Sequence, residues 1–317
     1  MQFNDLKNYF QDKKVFVTGH TGFKGSWLTT VLLNLDAEII GFSNGIPTNP
    51  SMFEVLNLKD HITHIIGDVR NYSQLSEAIN QYDPEIIIHL AAQPLVRQSY
   101  LNPVETYETN IMGTVNLLES LRNINVNLNK NVCNCNNDLS SENNHKFVLN
   151  VTSDKCYENK EKNYAYKETD PLGGYDPYSS SKAGSEIVTS AYRRSFFDNS
   201  NVSIATGRAG NVIGGGDWSK DRIVVDSING LFNGETIVLR NPKALRPWQH
   251  VLEAISGYLS LLGHMIIQKH SNDSSSSSSN SNSNSNSNSN SNSNSNSNSN
   301  SNSNSNSNSN SNSNSNS

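Results

Sequence analysis

Tyr178 and Lys182 stand four residues apart in Tyr-Ser-Ser-Ser-Lys, a spacing that puts both on one face of a helix. A free tyrosine, with a pKa of about 10, is a poor base at neutral pH. A lysine cation held beside it favours the phenolate and makes the hydroxyl a plausible proton acceptor from an alcohol. Such a pair is common by chance. It gains weight from VTSDKCY, Val151–Tyr157, where Ser153 can hydrogen-bond the same alcohol and Asp154 and Lys155 add an acid and a base.

The second group with chemical meaning is VFVTGHTGFKGSW, Val15–Trp27. Its three glycines follow an apolar run and open an amphipathic one, the context in which this spacing signifies a dinucleotide cradle. Gly19 permits the tight turn, Gly22 lets the backbone approach a pyrophosphate, and Gly25 allows close helix–sheet packing. The helix N-terminus then offers free N–H groups to phosphate. Dinucleotide folds usually carry an acid about 20 residues further on, for the ribose hydroxyl. The stretch Gly41–Met52 holds neither an acid nor an Arg or Lys, so Ser43 and Asn44 are left as neutral partners. Asp68, in Gly67–Arg70, is placed to meet an adenine edge, and the small residues of HLAAQ, His89–Gln93, let a flat cofactor pass. The expected cofactor contacts are Gly19, Thr21, Gly22, Phe23, Gly25, Asp68, Val69, Ala91 and Ala92.

Parallel strands must carry these ends. Val15–Thr18, Glu38–Phe42, Ile62–Ile66, Ile86–Leu90, Phe147–Thr152 and Val202–Arg208 are near-continuous apolar runs, as expected of strands covered on both faces. Helices are predicted at Ser26–Asn34, Tyr72–Tyr82, Pro103–Asn123 and Pro177–Phe197. The alternation predicts an α/β fold, a doubly wound parallel sheet of Rossmann type, with a smaller, incomplete substrate lobe. The expected division is 1–207 for the cofactor domain, with an Asn-rich solvated insertion at 125–145, and 208–270 for the partial lobe. The Ser/Asn repeat at 271–317 has nothing with which to build a core and is expected to be disordered.

The chain has 317 residues, a net charge of −5 and an apolar fraction of 34%. Without the repeat that fraction rises to roughly 40%, within the globular range. The mild acidity and the lack of a basic stripe argue against a nucleic-acid partner. No apolar run is expected to span a bilayer, and the N-terminus has no secretory core. Three cysteines in so long a chain suit a reducing compartment, hence a cytoplasmic protein. Cys133 and Cys135 have only His145 nearby, and no metal site is expected.

With the glycine turn, Ser153, Tyr178 and Lys182 in this order, the chain resembles the extended short-chain dehydrogenase/reductase superfamily. Within it, GHTGFKGSWL, HLAAQPLVRQSY, TSDKCYEN, DPLGGYDPYSSSKAGSE, RAGNVIGGGDW and RPWQHVLE are similar to the CDP-glucose 4,6-dehydratase family, from about Lys14 to about Gly263. The resemblance implies a redox-neutral dehydration with tightly held NAD. Tyr178 would deprotonate the glucose 4-hydroxyl as hydride passes to the cofactor. Lys155 would remove the C5 proton, and Asp154 would protonate the departing 6-hydroxyl before hydride returns to C6. Position matching makes Asn211, Arg222 and Arg246 contacts to the substrate pyrophosphate, Arg for its two-pronged fork; Trp248 is expected in the core. A homodimer through the helices at Pro103–Asn123 and Pro177–Phe197 is implied as well. A nucleotide-sugar 4-epimerase and a non-catalytic NAD-binding fragment stand as alternatives; the Asp154-Lys155 pair speaks against the epimerase. Family members continue well beyond the helix near His250, where this chain has its repeat.

Overall fold

All six predicted strands form: β1 (Lys14–Thr18), β2 (Glu38–Ser43), β3 (Thr63–Ile66), β4 (Ile86–His89), β5 (Lys146–Val151) and β6 (Val202–Gly207). They make one sheet, order β3-β2-β1-β4-β5-β6, parallel throughout. The computed structural model describes residues 3–132, 145–160, 164–239 and 242–279. Ten α-helices are described: α1 (Phe3–Phe10), α2 (Phe23–Asn34), α3 (Met52–Val55), α4 (Tyr72–Tyr82), α5 (Val96–Leu101), α6 (Pro103–Tyr107), α7 (Gly113–Val132), α8 (Pro177–Tyr192), α9 (Ile223–Asn233) and α10 (Val251–Ser279). Two short parallel strands, β7 (Asn211–Ile213) and β8 (Trp248–His250), pair apart from the main sheet.

Both faces of the sheet are covered, which explains why its strands read as continuous apolar runs. Val15 and Val17 point into a core with Leu28 and Leu32 of α2 and Val251, Leu259 and Leu262 of α10. Phe16, between them, points to the other core, with Leu75 and Ile79 of α4 and Leu117, Leu118 and Leu121 of α7. The strand order reverses between β1 and β4, and in such sheets ligands bind at the carboxyl ends beside that reversal. The glycine turn follows β1 there.

Five expectations are corrected. The helix predicted over Pro103–Asn123 is broken into α6 and α7 by a π-helical turn at Glu108–Met112. Helical backbone then continues to Val132, into the Asn-rich stretch; Cys133 and Cys135 lie outside the described residues. The helix α10 runs to Ser279, past the expected start of the repeat at 271. One segment, Val251–Asn272, is after all long and apolar enough to cross a bilayer, but its apolar stripe (Val251, Ile255, Leu259, Leu262) is buried in the sheet's core. Trp248 is 45% exposed rather than in the core; it lies in β8, which pairs with β7 apart from the main sheet. The chain divides into units at 1–273 and 274–317, so the first holds both the sheet and the β7–β8 pair.

Candidate active site

The glycine turn is shaped by contacts that exclude side chains. Gly19 has a φ of +73°, and a Cβ there would stand 2.8 Å from Ala91 N. A Cβ on Gly25 would come within 2.2 Å of the Gly19 carbonyl oxygen, so turn and helix can meet only through glycine. Gly22 is different: its Cβ position meets nothing nearer than 3.5 Å. It caps α2 without a side-chain hydrogen bond, leaving the first N–H groups of the helix open to an anion. These features fit a dinucleotide diphosphate.

The other expected cofactor residues surround this turn. Thr21 donates from Oγ1 to the Gly45 carbonyl at 2.6 Å and pairs with Ser43 Oγ at 2.8 Å, tying the turn to the end of β2. Ser43 is thereby engaged. Phe23 packs against the core of the α2 face. Asp68 takes Arg70 in a two-pronged ion pair, with Nη2 at 2.6 Å and Nε at 3.0 Å, and Asn44 also bonds it. Arg70 first among these holds the carboxyl below its usual range. Val69 is buried in the core, and its carbonyl accepts from Asn116 Nδ2 at 2.9 Å. Ala91 donates its N–H to Thr18 Oγ1 at 3.1 Å, and Ala92 is half-buried beside it.

The catalytic candidates converge from β5 and α8. The strand ends in a single 3₁₀ turn, Asp154–Cys156, capped by Ser153, whose Oγ accepts from Lys155 N–H at 3.3 Å. That hydroxyl donates to Asp154 Oδ1 at 3.0 Å and is hydrogen-bonded to Tyr178. Asp176 caps α8, accepting from Ser179 N–H at 2.9 Å, and so fixes Tyr178 in the first turn. Lys155 Nζ reaches Asn211 Oδ1 at 3.4 Å. Arg222 caps α9 and pairs with Asp217 at 3.2 Å; its field reaches Tyr178. Ser153, Asp154, Lys155, Tyr178, Lys182, Asn211 and Arg222 thus form one group. Arg246 does not join it: its side chain is exposed and donates to the Leu245 carbonyl at 2.7 Å.

Burial dominates the electrostatics. It pushes the Tyr178 hydroxyl up to about 12, against the Ser153 hydrogen bond and the Arg222 charge. Burial, then the Lys24 charge, pulls Lys182 down to about 8. Lys182 Nζ donates to the Val151 carbonyl at 3.3 Å, and the charge acting on the phenol to lower it is Arg222. The direct lysine–phenolate pairing suggested by the four-residue spacing is replaced here by a backbone anchor.

Sequence reasoning passed over several residues that hold this group. Glu186, one turn beyond Lys182, takes Arg208, Thr206 and Thr152, and its helical offset from Lys182 was the available signal. Asn110, in the π-turn, donates to Ser181 Oγ at 2.8 Å and accepts from Gln93 N–H at 2.8 Å. His89 bridges Thr18 at 2.8 Å and Thr114 at 3.5 Å, and burial holds it neutral with a pKa of about 3. Nothing in their local sequence marks Asn110 or His89. Lys24 stood inside the quoted glycine motif. Among the described residues there is no cluster of metal-ligating side chains.

A family model described as GDP-mannose 4,6 dehydratase matches residues 16–316. The chain belongs to this family. Its relatives include the CDP-glucose 4,6-dehydratase of Salmonella typhimurium, 49% identical over 258 residues, which cover 80% of this chain and 67% of that protein. The CDP-paratose 2-epimerase of Salmonella typhi is 29% identical over 80% of this chain and 75% of its own. Among solved structures, the dTDP-glucose 4,6-dehydratase DesIV of Streptomyces venezuelae, with NAD and TYD bound, superposes with a TM-score of 0.66. It is 23% identical, over 79% of this chain and 72% of DesIV. The family's dehydratase fold is therefore present, and the Ser153–Tyr178–Lys182 group stands at the carboxyl end of its sheet.

Proposed function

We propose that this chain dehydrates CDP-glucose to CDP-4-dehydro-6-deoxyglucose, with NAD held by the turn at Gly19–Gly25. The observation that carries the reading is the Ser153–Asp154–Lys155 turn placed against Tyr178. An oxidation alone needs Ser153 and Tyr178, whereas loss of water needs an acid and a base as well. The 49% identity to a CDP-glucose 4,6-dehydratase supports the choice of substrate. A 4-epimerase would share Tyr178 and Lys182 but would have no use for Asp154 as an acid.

Gly19, Gly22, Gly25 and the open end of α2 would hold the cofactor's diphosphate, with Ala91 and Ala92 passing close to it. Bound NAD supplies a reversible hydride acceptor. Tyr178 takes the proton of the 4-hydroxyl, and Ser153 orients that hydroxyl through the bond it already makes to Tyr178. Lys155, steadied by Asn211, removes the C5 proton once the neighbouring carbon is a ketone. Asp154 donates a proton to the 6-hydroxyl so that it leaves as water; the hydride taken from C4 would then return to C6 while Lys155 gives its proton back to C5, which balances the reaction. Arg222 neutralises the nucleotide-sugar diphosphate, with Arg246 able to join only if its segment closes over the substrate. Incubation with CDP-glucose and NAD, followed by product identification, tests the reading: the 4-dehydro-6-deoxy product supports it, and an epimerised sugar overturns it.

A homodimer is part of the proposal. Leu117 and Leu118 are buried in the core, and Val188 packs against it, while Ile111 lies over Gly184. Met112 just before α7, Ile187 in α8 and Phe196 just beyond it are 48%, 58% and 48% exposed, apolar surface suited to a second copy. We also place the protein in the cytoplasm, in keeping with its buried free Cys156 and with the packing of α10 into the core.

A further inference from the structure

Lys24 is the second residue of α2, between Phe23 and Gly25. The close contacts that demand glycine at Gly19 and Gly25 do not account for a lysine at position 24. Its side chain is half-buried and interacts with Arg222, Asp154 and Lys155, and also with Lys182. Its charge therefore acts on the catalytic group from the cofactor turn.

That group then holds four cations: Lys24, Lys155, Lys182 and Arg222. The carboxylates facing them are few. Asp217 is paired with Arg222, and Glu186 is taken by Arg208, which leaves Asp154. Among the described residues no salt bridge engages Lys24, Lys155 or Lys182. The Nε of Arg222 is buried without a hydrogen-bond partner. Burial first, and then Arg222, lowers the pKa of Lys24 to about 8, the direction expected when cations crowd a desolvated site without a counterion. An orphaned buried donor and a surplus of positive charge are relieved together by one kind of ligand, a polyanion.

We propose that Lys24, with Arg222, binds an oxyanion of a diphosphate and so joins the cofactor turn to the substrate site. This rests on the nucleotide-sugar reading and adds to it a residue that the glycine motif does not explain. On that reading two diphosphates would come near: that of the dinucleotide, at the Gly22 end, and that of the nucleotide-sugar, at the Arg222 end.

The test uses the full chain with Lys24→Met and Lys24→Arg, titrated calorimetrically with NAD and, separately, with CDP, and with cytidine as a phosphate-free control. A charge-assisted hydrogen bond is worth about 1.5–3 kcal/mol, so Lys24→Met should weaken one diphosphate about ten- to hundredfold. Lys24→Arg should restore most of it, and cytidine binding should not change. The arm that weakens names the source. Proton uptake on binding at pH 8 should also fall in Lys24→Met, since an arriving anion raises the lysine's pKa; this readout serves where the variant is less stable. Binding of both NAD and CDP within twofold of the parent by Lys24→Met overturns the proposal. A parent that binds NAD but not CDP, with Lys24→Met impaired for NAD, upholds Lys24 and overturns the nucleotide-sugar reading instead. A parent that binds neither overturns both.

Discussion

Glu186 and Arg208 meet fork to fork, Nε to Oε1 at 3.0 Å and Nη2 to Oε2 at 2.9 Å. Both are largely shielded from solvent, with side-chain exposures of 4% and 16%. Burial alone would raise the Glu186 carboxyl, but Arg208 and then Thr152 outweigh it and hold it below the usual range. Arg208 also lies over the Tyr157 ring, 4.8 Å from its centre. The pair clamps α8 to the ends of β5 and β6, one turn from Lys182. Glu186→Ala leaves the guanidinium buried and uncompensated, a loss of about 3–5 kcal/mol. Urea denaturation should show it, and a loss below about 1 kcal/mol would mean that water replaces the carboxylate.

Tyr178→Phe is expected to lower turnover by about 10²–10⁴-fold while leaving NAD affinity unchanged, because the cofactor is held by the backbone of Gly19–Gly25. Steady-state rates and a cofactor titration on the same preparation check this. More than a tenth of the parental rate would remove Tyr178 from the role of base.

Asp154→Asn separates the two halves of the reaction. In the proposed reaction oxidation at C4 uses Tyr178 and Ser153 but not Asp154, so absorbance from reduced cofactor should still develop on adding CDP-glucose. Release of water should then stall. Absence of that absorbance in a variant that binds NAD would give Asp154 an earlier part.

Gly25→Ala places a methyl group 2.2 Å from the Gly19 carbonyl oxygen and 2.7 Å from His20 Cα. Both are backbone atoms, so the turn itself must open. NAD binding should be lost, with a lower Tm. Gly22→Ala meets nothing closer than 3.5 Å within the protein; it should fold normally and lose affinity only through contact with the ligand.

Lys182 titrates at about 8 in the fold against 10.5 when free. Between those values the unfolded chain binds more protons than the folded one, so stability rises with pH across the window. Below about 8 the buried cation carries its full desolvation cost. Denaturation midpoints from pH 7 to 10 should climb, and Lys182→Met should reduce the slope by about one proton. Tyr178 acts in the opposite sense, but only between 10 and about 12.

The six strands and the glycine turn were legible because each is written in consecutive residues. A strand buried on both faces has to be apolar throughout, and a turn that brings backbone within 3 Å of backbone has to be glycine. The chemistry was partly legible for the same reason, since Ser153, Asp154 and Lys155 are neighbours and Tyr178 and Lys182 share a helix turn. Their partners were not. Lys182 finds the Val151 carbonyl, Lys155 finds Asn211 and Glu186 finds Arg208, across separations in sequence that no local pattern records. The apolar segment 251–272 went unmarked as well, and only the fold shows that the sheet covers its stripe. Sequence alone determined which residues could do the chemistry and which strands would carry them. Only the tertiary structure decided which charges face one another and how far burial moves each pKa, because both depend on distances through space and on the water excluded by packing.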